Sequence, residues 1–121
     1  MRRVVVTGLG MVCPIGNDVK TSWENALAGK NGIGPITRFD ASGMGCQIAG
    51  EVKDFNVEEY LPAKEARRYD RYVHYGVAAG TQAIRDAGLD LEKEDLTRIG
   101  CSIGSGIGGF GLICDNYLTL H

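Results

Sequence analysis

The stretch Arg3-Val4-Val5-Val6-Thr7-Gly8-Leu9-Gly10-Met11-Val12-Cys13-Pro14-Ile15-Gly16-Asn17 decides the fold class. Three consecutive valines without polar alternation read as a fully buried strand over residues 3–7, as in a parallel sheet covered on both faces. Gly8 and Gly10 let the backbone turn tightly, and Pro14 and Gly16 finish that turn. A helix then starts. Asn17 is a good N-cap, Asp18 suits the positive helix end, and Val19, Trp23, Ala26 and Leu27 recur at helical spacing before Gly29 stops the helix. Strand, glycine turn and helix in this order open an α/β protein.

The same pattern returns near the other end. Residues 98–104 read as a second buried strand, Ser105-Gly106-Ile107-Gly108-Gly109 as a glycine-rich turn, and Phe110 to Leu120 as a helix with Leu112, Ile113, Tyr117 and Leu120 on its apolar face. Between these ends, residues 30–45 are glycine-rich and aperiodic and read as a long loop. Residues 47–52 alternate and read as a short strand. Asn56 can cap a helical turn through Tyr60, and Pro62 suits the first turn of a helix that breaks near Asp70. Beyond the break lies the clearest periodicity in the chain: Tyr69, Tyr72, Val73, Gly76, Val77, Gly80, Ala83, Ile84 and Ala87, ended by Gly88. Gly76, Ala79, Gly80 and Ala83 form a stripe of small residues. Glycine costs about 1 kcal/mol against alanine inside a helix, so the pair implies something packed very close. Asp90 to Thr97 is an acidic turn or short helix.

Composition narrows the function. The 121 residues suit one compact unit without an internal boundary. A formal charge of −2 argues against nucleic acid as a partner. No apolar run approaches the roughly 20 residues needed to span a bilayer, and the valine run is too short and glycine-broken for a signal peptide, so a cytosolic chain is expected. Cys13, Cys46, Cys101 and Cys114 have no metal-ligand spacing with one another or with His74 and His121. They are expected to be reduced and mostly buried. His74, between two tyrosines at the edge of the apolar helix face, is expected to be structural.

Two features invite a binding reading. Gly104-Ser105-Gly106-Ile107-Gly108-Gly109 fits the letters of a dinucleotide fingerprint between a strand and a helix, although the acidic residue about 20 positions on would fall past His121. The first glycine turn lacks the third glycine, and neither turn is followed by a Walker lysine. Lys64, Arg67, Arg68 and Arg71 fall at i, i+3, i+4 and i+7 and would share one helix side. That side is either a positive patch for an acidic protein or phosphate, or a solvated face with ion pairs such as Glu65 with Arg68.

Val4-Val5-Val6-Thr7-Gly8-Leu9-Gly10-Met11 with Pro14-Ile15-Gly16-Asn17, then Ile36-Thr37-Arg38-Phe39-Asp40, then Gly104 to Gly109, resemble in order three segments of the β-ketoacyl-acyl-carrier-protein synthases, particularly the type II enzymes of bacterial fatty-acid synthesis. The resemblance implies a thiolase-like αβαβα fold of two similar halves, with residues 1–121 as the amino-terminal part of the first. It implies a homodimer, no cofactor, and acyl carrier protein as partner in its acyl and malonyl forms. The implied reaction loads an acyl chain onto a cysteine thiolate. Decarboxylation of malonyl carrier protein then gives a carbanion that attacks the acyl-enzyme, with two histidines stabilising the charge. No cysteine or histidine of this chain sits in the matching motif, so the nucleophile and both histidines are expected beyond His121. Ile107, flanked by Gly106 and Gly108, matches the family residue that gates the acyl pocket. Lys64, Arg67 and Arg68 match the basic patch that receives the carrier protein. A nicotinamide-dependent oxidoreductase with a Rossmann-type turn is the alternative.

Overall fold

The computed structural model describes residues 2–120. Helix α1 spans Val19–Leu27, strands β1 and β2 span Ile33–Pro35 and Ile48–Gly50, and α2, α3 and α4 span Ala63–Ala66, Arg71–Asp86 and Phe110–Leu120. Single 3₁₀ turns occupy Val57–Glu59 and Leu96–Arg98.

Helix α3 is the hub. Its period, its start after the break near Asp70 and its stop at Gly88, with φ +65°, follow the sequence pattern, and Asp70 itself caps it. The stripe of small residues is in close contact, as expected, and on two flanks. A Cβ on Gly8 or Gly10 would overlap the carbonyls of Ala83 and Ala79, so residues 8–10 lie directly on the helix backbone. A Cβ on Gly76 would lie 3.4 Å from Ile103 Cγ2. Polar side chains reinforce the first contact. Leu9 N donates to Asp86 Oδ2 at 2.8 Å and Met11 N to Gln82 Oε1 at 3.0 Å, while Gln82 Nε2 donates to Asn17 O and Tyr60 Oη. The helix side chains thus satisfy backbone amides that a neighbouring strand would otherwise take.

The remaining elements lean on this hub. Ala78, on another face of α3, is fully buried. Phe55 meets Tyr75 edge-on at 5.1 Å and stacks on Tyr60 at 6.0 Å. Arg38 reaches from the loop after β1 to Tyr75 Oη at 3.1 Å and Val52 O at 3.3 Å. Helix α1 packs on the Cys13–Gly16 turn through Ser22, 2% exposed, and through Asn25 Nδ2 to Ile15 O.

Several expectations need correction. Residues 3–7 and 98–104 join no sheet among the described residues. Among the described residues the sheet is β1 with β2, antiparallel, Ile33 opposite Gly50 and Pro35 opposite Ile48. Val4 is 91% exposed, and Val5, Val6, Ile99 and Ile103 are exposed as well. Their composition suits an interior strand, yet an interior strand needs a neighbour on each side and neither segment pairs here. β1 lies inside the stretch read as a loop. Asp18, not Asn17, caps α1: its carboxylate accepts from Thr21 N at 2.8 Å and Thr21 Oγ1 at 2.7 Å. These bonds hold its pKa below the ordinary aspartate range. Cys46 and Cys101 are exposed rather than buried. The apolar face of α4 is also exposed. The accessible surface is 9910 Å², against roughly 6,300 Å² for a compact monomer of this mass.

Candidate functional site

Two sequence-predicted regions meet at the amino-terminal end of α3. The first is the basic segment. Lys64 lies in α2, Arg67 is its C-cap, and Arg68 N bonds back to Glu65 O at 2.8 Å. The chain then breaks at Asp70, so Arg71 begins a new helix and the expected single face of four cations does not form. Lys64, Arg67, Arg68 and Arg71 are exposed, and none of them enters an ion pair among the described residues. The alternative pairing of Glu65 with Arg68 is therefore not made. His74 is structural, as expected: its Nε2 lies 2.8 Å from Ala66 O and ties α2 to α3.

The second region is the glycine-rich turn. Gly108 has φ +72°, a left-handed backbone that side chains rarely adopt, and the Tyr72 ring covers it 3.0 Å from where a Cβ would stand. Gly109 faces the Asp70 carboxylate in the same way at 3.2 Å. A Cβ on Gly104 or Gly106 would meet nothing within 4 Å among the described residues. Ile107 is 74% exposed. An apolar recess of about 350 Å³ opens between α3 and the start of the turn, lined by Tyr72, Tyr75, Gly76, Ile103, Gly104 and Ser105.

Sequence reasoning did not single out the residues that tie the turns to α3: Asp70, which joins the basic segment to the glycine-rich turn, and Gln82 and Asp86, which hold residues 9–11. The one available signal was that Gln82 and Asp86 stand four apart on a helix and so share a face.

Elsewhere, Leu9, Met11, Cys13, Ile15, Val19 and Trp23 line an apolar groove of about 410 Å³ against α1. Burial pushes the Cys13 thiol pKa up. Its hydrogen bonding with Ser22, Ile15 and Gly16 outweighs that effect and holds it below the ordinary value. Among the described residues no group of three histidine, cysteine or acidic side chains could hold a metal, and no helix is long and apolar enough to cross a membrane.

A family profile described as "Beta-ketoacyl synthase, N-terminal domain" matches residues 1–120. The chain is 54% identical over 108 residues to 3-oxoacyl-[acyl-carrier-protein] synthase 2 of Staphylococcus aureus (strain COL), covering 89% of this chain and 26% of that protein. It is 50% identical over 119 residues to the synthase of the same name from Synechocystis, covering 98% and 29%. Among solved structures, a type II polyketide acyl-carrier protein in complex with its ketosynthase matches with a TM-score of 0.74 at 32% identity, over 97% of this chain and 31% of that one. The ishigamide ketosynthase/chain length factor matches with a TM-score of 0.66 at 39% identity, over 75% and 23%. The chain therefore spans little more than a quarter of the length of the curated relatives it matches. The expected fold class holds: helices and strands are mixed as in the thiolase-like ketosynthases.

Proposed function

The chain belongs to the β-ketoacyl synthase family, whose amino-terminal domain its residues 1–120 match, and on that premise we propose that it contributes the carrier-docking and acyl-gating parts of a fatty-acid elongating synthase. The observation that carries this reading is the match to 3-oxoacyl-[acyl-carrier-protein] synthase 2 across nearly the whole chain at half identity or better. The chemistry is decarboxylative condensation. A cysteine thiolate outside these 121 residues holds the acyl chain, malonyl carrier protein loses carbon dioxide, and the carbanion attacks the thioester. In that longer protein, residues 1–121 form the amino-terminal part of the first of two similar halves. The unpaired segments 3–7 and 98–104 and the exposed face of α4 suit such a place, because each is apolar and largely exposed among the described residues. The protein works in the cytoplasm as a homodimer and needs no cofactor.

Lys64, Arg67 and Arg68 receive the acidic carrier protein. Their exposure and lack of ion-pair partners among the described residues support this, since an unpaired rim charge acts mainly on association rate and its salt response. The solved ketosynthase in complex with its acyl-carrier protein supports a partner of that class. Ile107 gates the acyl pocket, with Gly106 and Gly108 framing it. The dinucleotide reading of residues 104–109 gains nothing from the relatives named above, which are synthases.

The test uses a full-length synthase carrying this segment, supplied with labelled acyl and malonyl carrier proteins. Elongated product is expected from it and not from residues 1–121 alone. Reversing Lys64, Arg67 and Arg68 to glutamate should raise KM for carrier-bound substrates and flatten its salt dependence. No product from the full-length protein would overturn the condensation reading. Unchanged kinetics of the triple variant at low salt would return the three cations to an ordinary solvated face.

A further inference from the structure

The turn that carries Ile107 is held by side chains at one end and has open space beside its glycines at the other. Gly109 immediately precedes α4, and its carbonyl takes the first helical bond, from Ile113 N at 3.1 Å. A residue at that place commonly offers a side-chain oxygen to the free amides of the first turn. Gly109 has no side chain, and the oxygen comes from another helix. Asp70 Oδ2 accepts from Leu112 N, the third residue of α4, at 3.5 Å, while Asp70 Oδ1 accepts from Arg71 N at 2.6 Å at the entry of α3. One carboxylate thus sits at the positive ends of two helices, where negative charge is favoured at both.

The glycines make room for this arrangement. A Cβ on Gly109 or Gly111 would stand 3.2 or 3.6 Å from Asp70 Oδ2, and the Tyr72 ring, two residues beyond Asp70, rests on Gly108. Residues 108–112 are therefore held by the entry of α3, whereas a Cβ on Gly104 or Gly106 would enter open space, with nothing within 4 Å among the described residues. Ile107 lies at the boundary between the held part and the open part. The basic segment joins the same entry from the other side: Arg68 is two residues before Asp70, and His74 grips Ala66 O.

We propose that Asp70 is a positioning residue that sets the resting place of the Ile107 turn and links it mechanically to the basic segment, so that docking of an acidic carrier at Lys64, Arg67 and Arg68 bears directly on the gate. This rests on the reading given under the previous heading. Asp70 touches neither substrate nor the reacting atoms; it acts through the turn.

Two substitutions separate this role from simple helix capping. Asp70→Asn keeps the size and one acceptor for α3 but lacks the second acceptor for Leu112 N. Asp70→Ser also remains a good N-cap for α3 and is too short to reach α4. In a full-length synthase carrying this segment, amide hydrogen exchange at residues 110–112 should quicken roughly three- to tenfold in both variants, the loss of one exposed charge-assisted bond, with α3 amides unchanged. The ratio of kcat/KM for long against short acyl carrier substrates should shift, while the ionic-strength dependence of KM stays as in the parent. Unchanged exchange at Leu112 with α3 intact would overturn the hold on the turn. Faster exchange with equal loss for every chain length would reduce Asp70 to a structural cap. An inactive parent would sink the functional reading and the gating half of this proposal, and the exchange arm would still decide whether Asp70 holds α4.

Discussion

The two glycine turns look alike as text and do different physical work. Gly8 and Gly10 follow an apolar run and precede α1; Gly104 to Gly109 follow an apolar run and precede α4. At the first turn glycine is required for closeness, because the backbone lies on Ala79, Ala83 and Ala87 with no space for a methyl group. At the second, Gly104 and Gly106 stand in the open, and the constraint gathers at Gly108 and Gly109 against Tyr72 and Asp70. The first turn is a packing device anchored by Leu9 N to Asp86 and Met11 N to Gln82. The second is a loop with open space beside its glycines at one end. A glycine count cannot separate them; what a Cβ would meet can.

Substitution by alanine turns that contrast into numbers. Gly10→Ala should have the largest effect, because the new methyl meets helix backbone and not the end of a flexible side chain. Its cost is expected at or above the upper end of the roughly 1–3 kcal/mol typical of overpacking, read as a fall in the denaturant midpoint. Gly108→Ala comes next. It must adopt φ +72° beneath Tyr72, at about 1–2 kcal/mol for the left-handed backbone. If Gly108→Ala proved the costlier, closeness at the first turn would not be its dominant constraint.

A smaller effect concerns Cys13, just past the first turn. Its thiol pKa is held down by Ser22, Ile15 and Gly16 against the upward push of burial. The thiolate that alkylating reagents attack should therefore form at lower pH than in an ordinary cysteine. Ser22→Ala should move the labelling midpoint upward, as followed by mass spectrometry across a pH series. A midpoint that stays put would show that the amides alone set it. The smallest effect is expected from Gly106→Ala, within about 0.5 kcal/mol of the parent, because its Cβ enters open space. Ile107→Phe should likewise leave the melting temperature nearly unchanged, since Ile107 is not a core residue here. Its effect should fall on long acyl chains in the full-length synthase, each excluded methylene being worth about 0.8 kcal/mol. Equal loss across chain lengths would remove Ile107 from the pocket.

What was legible in the sequence is what local chemistry decides. The period of α3, its break at Asp70, the αL stops at Gly29 and Gly88 and the Asn56 cap on Glu58 N each depend on residues within one or two turns. The close approach to the small-residue stripe was legible for the same reason, though not its occupants. The partners of residues 3–7 and 98–104 were not legible, because a run of valines states that a segment is apolar and not what pairs with it. β1 was hidden because three residues, Ile33-Gly34-Pro35, give too little alternation to see. The single basic face failed because spacing counts residues as though the helix ran on, whereas the break swings Arg71 onto α3. Asp70 was read for the helix it ends; its bond to Leu112, 42 residues away, has no sequence signature.

The small-residue character of the hub also has a calorimetric consequence. The buried apolar residues are Ala41, Ala66 and Ala78, and no large side chain is fully enclosed among the described residues. Cohesion comes from backbone laid on backbone and from polar bonds, whose exposure on unfolding lowers the heat capacity, and not from dehydrated hydrocarbon. For residues 1–121 alone, melting should therefore be broad, with a heat-capacity increment below the roughly 1.5–1.8 kcal/mol/K that a well-packed chain of this length gives. Its urea dependence should be correspondingly shallow.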